Sequence, residues 1–236
     1  MLEAALRDLI LELEQDSINQ HIHSMGDRST HIILNAIEAA SAGLDGRRQI
    51  RITLCHLGLV QDDDFERFAE LDVLVGLTPQ GHGGLIDGAQ YTPGEERFNM
   101  LFRVQPLLHD GARVTYSSDI VSEMEWQTHR ANRCFGMDIG HSRIEPQWGQ
   151  DAPVRPPTSE RLDRENLVIG YTREAAYQLG LQYKLGSIEV GKIADLVVLD
   201  RNLFEVAAQQ IKSVLPDAVI MDDAIVSGSL ENFAAQ

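Results

Sequence analysis

The chain has 236 residues, of which 43% are hydrophobic, 24% charged and 6% aromatic, a globular composition with enough apolar mass to bury a core. Twenty Lys and Arg against 36 Asp and Glu leave a formal charge of −16, which repels phosphate backbones and excludes nucleic acid as an expected partner. No apolar run reaches the ~18–20 residues that span a bilayer, the first eight residues lack the basic and apolar regions of a secretory signal, and two cysteines make no disulfide framework. The expectation is a soluble cytoplasmic chain with reduced thiols at Cys55 and Cys134.

Leu2, Leu6, Leu9, Ile10 and Leu13 recur at helical spacing, so the chain opens on an amphipathic helix. A strand is expected over 18–23, then a turn at Gly26-Asp27 and a helix carrying Ile32, Ile33, Ala36, Ile37 and Ala40, stopped near Gly43. A second strand is read over 49–55 from the alternation of Ile50, Ile52 and Leu54. Asp62-Asp63-Asp64 then opens a helix over 65–71, where acidic groups suit the positive end of the helix dipole. A third strand over 73–77 runs into the glycine-rich stretch 78–84, a short helix follows over 106–110, and a fourth strand over 112–116 ends at Ser117-Ser118-Asp119. Strand and helix thus alternate, which argues for a parallel sheet of βα units. Residues 138–160 read as a long loop and 163–179 as a helix closing at Gly180. Beyond it, 187–190, 194–199 and 218–227 read as a small β unit.

The chemistry-bearing residues sit at strand ends. His21 and His23 close the first strand, His56 follows the second and Asp119 follows the fourth. In a parallel α/β sheet the C-terminal strand ends share one side, where active sites form. Two imidazoles and a carboxylate there suit Zn²⁺ or another divalent metal, which acidifies bound water and polarises a carbonyl. Taken singly, either histidine is more often a hydrogen-bonded structural residue, and Asp119 could simply cap the next segment. His31, His109, His129 and His141 read as structural. No G-x-S-x-G, P-loop or G-x-G-x-x-G pattern is present, and Cys55 and His56, neighbours in a strand, should point to opposite faces.

Four segments carry a family resemblance. His23-Ser24-Met25-Gly26-Asp27-Arg28 resembles the His-Ala-x-Gly-Asp-Arg motif of the amidohydrolase superfamily in its YtcJ-like (amidohydrolase 3) branch. Residues 51–56, ending in His56, resemble the next strand of that branch, and Ser118-Asp119 resembles its Ser-Asp motif at the last barrel strand. Residues 185–200, Leu-Gly-Ser-Ile-Glu-Val-Gly-Lys-Ile-Ala-Asp-Leu-Val-Val-Leu-Asp, are similar to its C-terminal signature. The resemblance implies a (β/α)₈ barrel with a small β-sandwich, and hydrolysis of carbon–nitrogen bonds other than peptide bonds in small-molecule amide-type substrates. It implies His23 and His56 as metal ligands from barrel strands five and six. Asp119, after strand eight, is implied both as a ligand and as the catalytic proton acceptor for the attacking water. His82 is implied as a substrate-side residue after strand seven.

The departures matter too. Cys55 stands where the family carries Glu, and Val121 where it carries Pro two residues after the Asp. His21-Ile22-His23 mimics the strand-one His-x-His pair, but the following Gly26-Asp27-Arg28 assigns it to strand five. The expected fold is therefore α/β: a partial TIM-type barrel of about four C-terminal βα units, strands five to eight, over residues 1–180, plus β-sandwich strands over 181–236. The strand-one half of the metal site is missing from this set. Weak or no activity alone is expected, with two alternatives for a partner: a second copy, or a complementary N-terminal half. A non-catalytic half-barrel that works by association is the competing reading.

Overall fold

A computed structural model describes residues 2–44, 48–83, 94–119, 123, 131–149 and 151–231. Gly84, Val121 and His129 lie outside the described residues. The chain divides into two compact units.

The described part of the first unit comprises residues 2–44, 48–78, 94–116 and 155–160. Helix α1 (Leu2–Gln15) follows the expected apolar spacing and buries Ile10 completely. At its end the Glu14 carboxylate accepts hydrogen bonds from the N–H groups of Gln49 (2.7 Å) and Ile50 (3.2 Å), fixing the entry to the second strand. Strand β1 (Gln20–Ser24) leads through Gly26 directly into helix α2 (Asp27–Gly43), which buries Ile33, Leu34, Ala36, Ile37 and Ala40. Strand β2 (Ile52–His56) is followed by a 3₁₀ turn (Asp62–Asp64) and helix α3 (Phe65–Glu70). Strand β3 (Val73–Leu77), the short helices α4 (Glu95–Phe98) and α5 (Gln105–His109), and strand β4 (Val114–Tyr116) complete the unit.

The four strands are parallel and lie in chain order β1-β2-β3-β4, as successive βα units require. Ile52, Leu54, Val73, Val75 and Leu77 alternate onto one face and are buried, each contributing about 1.5–3 kcal/mol of transfer free energy. Asp64, fully buried, accepts hydrogen bonds from Arg67 Nη1 (2.7 Å) and is paired with His31 Nδ1 (3.0 Å), so His31 ties α2 to α3 and is structural. Residues 155–160 fasten the loop before β4. Glu160 Oε2 accepts from the N–H groups of Val104 (2.6 Å) and Gln105 (2.7 Å), while the Arg155 guanidinium lies 4.4 Å from the Phe98 ring centre. Burial lowers the Arg155 pKa to about 10.

The second unit differs from expectation in three places. Residues 138–142, read as loop, belong to helix α6 (Arg133–Ser142), capped by Asn132 Oδ1 on Cys134 N–H at 2.9 Å. This helix is buried nearly all round, so it has no polar stripe to betray it, and its glycines serve close packing: a Cβ at Gly136 would lie 2.5 Å from Tyr171 Oη. Helix α7 (Arg164–Ile169), a π-helical turn (Gly170–Glu174) and helix α8 (Ala175–Gln178) fill the expected helix, capped by Asp163 and closed by Gly180 at φ 74°. Residues 187–190 form no strand, and Ile188 and Val190 are exposed. Strands β5 (Leu196–Leu199), β6 (Pro216–Met221) and β7 (Ala224–Gly228) make an antiparallel sheet. The segment expected as one strand over 218–227 is a hairpin. Asp222 and Asp223, at φ 47° and 64°, supply the two left-handed residues that a tight hairpin turn needs. No helix among the described residues is long and apolar enough to cross a membrane.

Candidate metal centre

Parallel pairing of β1 with β2 sets His23 level with Cys55 and Ser24 level with His56. Residues level across a parallel pair share a face, so His23 and Cys55 lie on the same side of the sheet, and a regular strand would turn His56 to the other. The backbone resolves this conflict. His56 adopts φ 70° and Leu57 φ 47°, left-handed conformations that cost on the order of 1–3 kcal/mol each for residues with a Cβ. The turn re-aims the His56 imidazole so that its ring centre lies 4.3 Å from that of His23, with the planes at 57°.

The strained turn is held by the segments around it. Leu57 N–H donates to the Ser24 carbonyl (2.8 Å), Leu59 N–H to the Met25 carbonyl (3.0 Å), and Phe102 N–H to the Gly58 carbonyl (2.9 Å). Gly58 is required by close approach: a Cβ there would lie 2.8 Å from the Met25 carbonyl oxygen. Below the pair, the buried Ser24 hydroxyl bonds Thr30 Oγ1 (2.9 Å) and Ser29 Oγ (3.1 Å), locking the strand end to the first turn of α2. The Cys55 thiol donates to the Ile22 carbonyl at 3.3 Å.

His21 is exposed on the His23 face of β1. Asp119 belongs to the second unit, three residues beyond the last residue of β4, exposed and at φ 50°. His82, in the second unit, is fully buried after the 3₁₀ turn Pro79–Gly81, and its N–H donates to the Pro79 carbonyl (2.9 Å). His141 Nδ1 lies 2.7 Å from the Leu162 carbonyl and donates to it, a structural role as expected. The described structure thus brings His23 and His56 together. Among the described residues no three His, Cys, Asp or Glu side chains form a group able to hold a metal ion. Two adjacent imidazoles suit zinc chemically but supply half of a four-coordinate shell.

The signal for the strained turn is in the sequence but easily passed over: His56-Leu57-Gly58 ends an apolar alternation with a glycine two residues after the histidine. In the second unit, Asp138 is buried within α6 and accepts from Lys212 N–H at 3.1 Å; burial raises its pKa above the usual carboxylate range.

Comparison with known proteins gives this arrangement a context. The Amidohydrolase family matches residues 1–227, and the chain belongs to that family. It is 26% identical over 201 residues to the protein LONG AFTER FAR-RED 3 of Arabidopsis thaliana, covering 85% of this chain and 33% of that protein. It is 25% identical over 213 residues to an N-substituted formamide deformylase of Arthrobacter pascens, covering 90% and 37%. Among solved structures, an uncharacterised metal-dependent hydrolase from Pyrococcus furiosus superposes with a TM-score of 0.62 at 24% identity, over 84% of this chain and 38% of that one. The parallel sheet therefore matches part of an amidohydrolase TIM barrel, and the chain spans about a third of the length of these curated relatives.

Proposed function

We propose that this amidohydrolase-family chain carries part of a metal-dependent hydrolase acting on carbon–nitrogen bonds other than peptide bonds, in small amide-type substrates. The observation that carries the reading is the adjacent, tilted His23–His56 ring pair at neighbouring strand ends, reached through strained backbone at His56 and Leu57. Strain of this kind persists where the surroundings over-determine it, and it clusters at functional sites. The relative named as an N-substituted formamide deformylase points to the same bond class.

In this reading β1 to β4 correspond to barrel strands five to eight, residues 1–180 are the barrel portion and 181–236 the β-sandwich portion. His23, His56 and Asp119 would be the residues to hold a divalent metal, zinc being the first choice for imidazole donors. When bound, such an ion acidifies water toward neutrality and polarises the scissile carbonyl. Asp119 accepts a proton from the attacking water at its carboxylate and passes it to the leaving nitrogen. The Ser24 network and the Gly58 turn fix the two imidazoles, and His82 sits on the substrate side. Cys55 and Cys134, neither in a disulfide, suit a reducing cytoplasmic setting. A set of three ligands, without a His-x-His pair on another strand, supports weak or no turnover by the chain alone.

The second reading, a non-catalytic half-barrel acting by association, is favoured by the position of β1 at the end of the sheet among the described residues. Calorimetric titration of Zn²⁺ into the 236-residue chain, alone and mixed with a candidate N-terminal amidohydrolase half, separates the two. The hydrolase reading expects zinc binding that His23→Ala abolishes, with hydrolysis of N-substituted formamides appearing or rising in the mixture. No zinc uptake in either sample refutes it.

A further inference from the structure

His56, Leu57 and Phe102 all adopt left-handed backbone, at φ 70°, 47° and 59°. They form one connected feature: Phe102 N–H donates to the Gly58 carbonyl (2.9 Å), and the Leu101 side chain comes within 3.6 Å of a Cβ built on Gly58. Strain of this kind lasts only where the surroundings over-determine it, so Phe102 must itself be held. The first unit supplies the hold from far along the chain, through residues 155–160. The Arg155 guanidinium lies over two rings, 4.4 Å from the centre of Phe98 and 5.5 Å from that of Phe102. Both distances are within the roughly 6 Å reach of a cation–π contact. Arg155 Nη2 also donates to the Phe98 carbonyl at 3.2 Å. On the other side of Phe102, Glu160 Oε2 accepts from the N–H groups of Val104 (2.6 Å) and Gln105 (2.7 Å). Arg155 and Glu160 are both buried.

A buried ion is a costly way to fill space, since an apolar side chain of similar volume is often neutral or stabilising in its place. The guanidinium offers what such a side chain lacks: a planar cation that stacks on aromatic faces, and donors that fix a chosen carbonyl. Burial draws the Arg155 pKa down to about 10, so the group stays protonated near neutral pH. We propose that Arg155 and Glu160 are positioning residues for the candidate metal ligand His56. They grip the loop over 98–105, and Phe102 of that loop holds the Gly58 carbonyl. The turn fixed in this way keeps the His56 ring centre 4.3 Å from that of His23. Neither Arg155 nor Glu160 is a ligand; each acts through the backbone of another segment. The inference rests on the metal-site reading of His23 and His56 and extends it to how the pair is held.

The 236-residue chain is tested first without zinc. Carbon–proton correlation spectra of carbon-labelled histidine report on the pair directly, because each ring lies in the other's ring current; His23→Gln and His56→Gln assign the signals. Arg155→Met and Glu160→Ala should move the signals of both rings and leave that of His31, on α2, in place. Glu160→Gln, which keeps an acceptor oxygen, should restore most of the parental positions. Arg155→Lys keeps the charge but loses the planar stack, should shift the same signals, and carries the test where Arg155→Met fails to fold. Ile37→Val, a core change on α2 away from the loop, should lower the urea midpoint without moving either ring. Calorimetric titration with Zn²⁺ should then show affinity lower by about 10–100-fold in Arg155→Met and Glu160→Ala. Unchanged ring signals and zinc affinity in those two variants, whatever their urea midpoints, overturn the inference and leave the hydrolase reading standing. A parent chain that takes up no zinc refutes the hydrolase reading, and the zinc-free spectra then decide the positioning on their own.

Discussion

Gly58→Ala tests whether the turn behind His56 positions the candidate metal ligands. The added methyl would sit 2.8 Å from the Met25 carbonyl oxygen, about 0.6 Å inside an ordinary contact, and the atom it meets is backbone. The Leu59 N–H to Met25 carbonyl bond (3.0 Å) and the Phe102 N–H to Gly58 carbonyl bond (2.9 Å) must both shift to relieve it. Overpacking of this size costs about 1–3 kcal/mol. Displacing groups that orient a metal ligand costs about 10–100-fold in metal affinity. Gly43→Ala is the control: nothing lies within 4 Å of its Cβ, and replacing glycine at the end of α2 should stabilise by roughly 0.5–1 kcal/mol. Urea denaturation followed by circular dichroism reads stability, and titration with Zn²⁺ reads the site. Gly58→Ala within 0.5 kcal/mol of the parent, with unchanged zinc affinity, would refute the positioning argument.

Glu160→Ala strips the acceptor from two backbone N–H groups, Val104 being 1% exposed, and should cost about 3–5 kcal/mol at the urea midpoint, with Glu160→Gln recovering more than half. Asp138 has a folded pKa raised above its unfolded value by burial, so its contribution is full below the unfolded pKa near 3.8 and is lost as pH rises through the folded value. Asp138→Asn should therefore gain stability relative to the parent as pH climbs from 3.8 toward 7, and parallel curves for the two proteins would contradict this.

How far the fold was legible depended on whether burial is one-sided. Helix α1 and α2 show one apolar stripe each, and β1 to β3 end in turns or polar residues, so their periodicity and order are readable. Helix α6 is buried on almost every side and carries Gly136 and Gly140, residues that argue against helix locally and are kept because neighbouring side chains approach so closely. The β6–β7 turn escaped because Asp222-Asp223 is an uncommon pair for two left-handed positions. Residues 187–190 alternate like a strand, yet Ile188 and Val190 are exposed and no neighbouring strand pairs with them among the described residues.

The site divides in the same way. His23 and His56 were readable as strand-end residues, but alternation alone would have put their side chains on opposite faces. Only the left-handed backbone at His56, which the sequence marks no more plainly than by Gly58 two residues on, brings the rings together.

The central claim, that His23 and His56 bind a metal ion, is tested most directly by zinc K-edge X-ray absorption on the zinc-loaded chain, with His23→Ala/His56→Ala alongside. The account predicts at least two imidazole nitrogens at about 2.0–2.1 Å from zinc in the parent, and loss of those shells in the double variant. An identical imidazole signal in both proteins would contradict it.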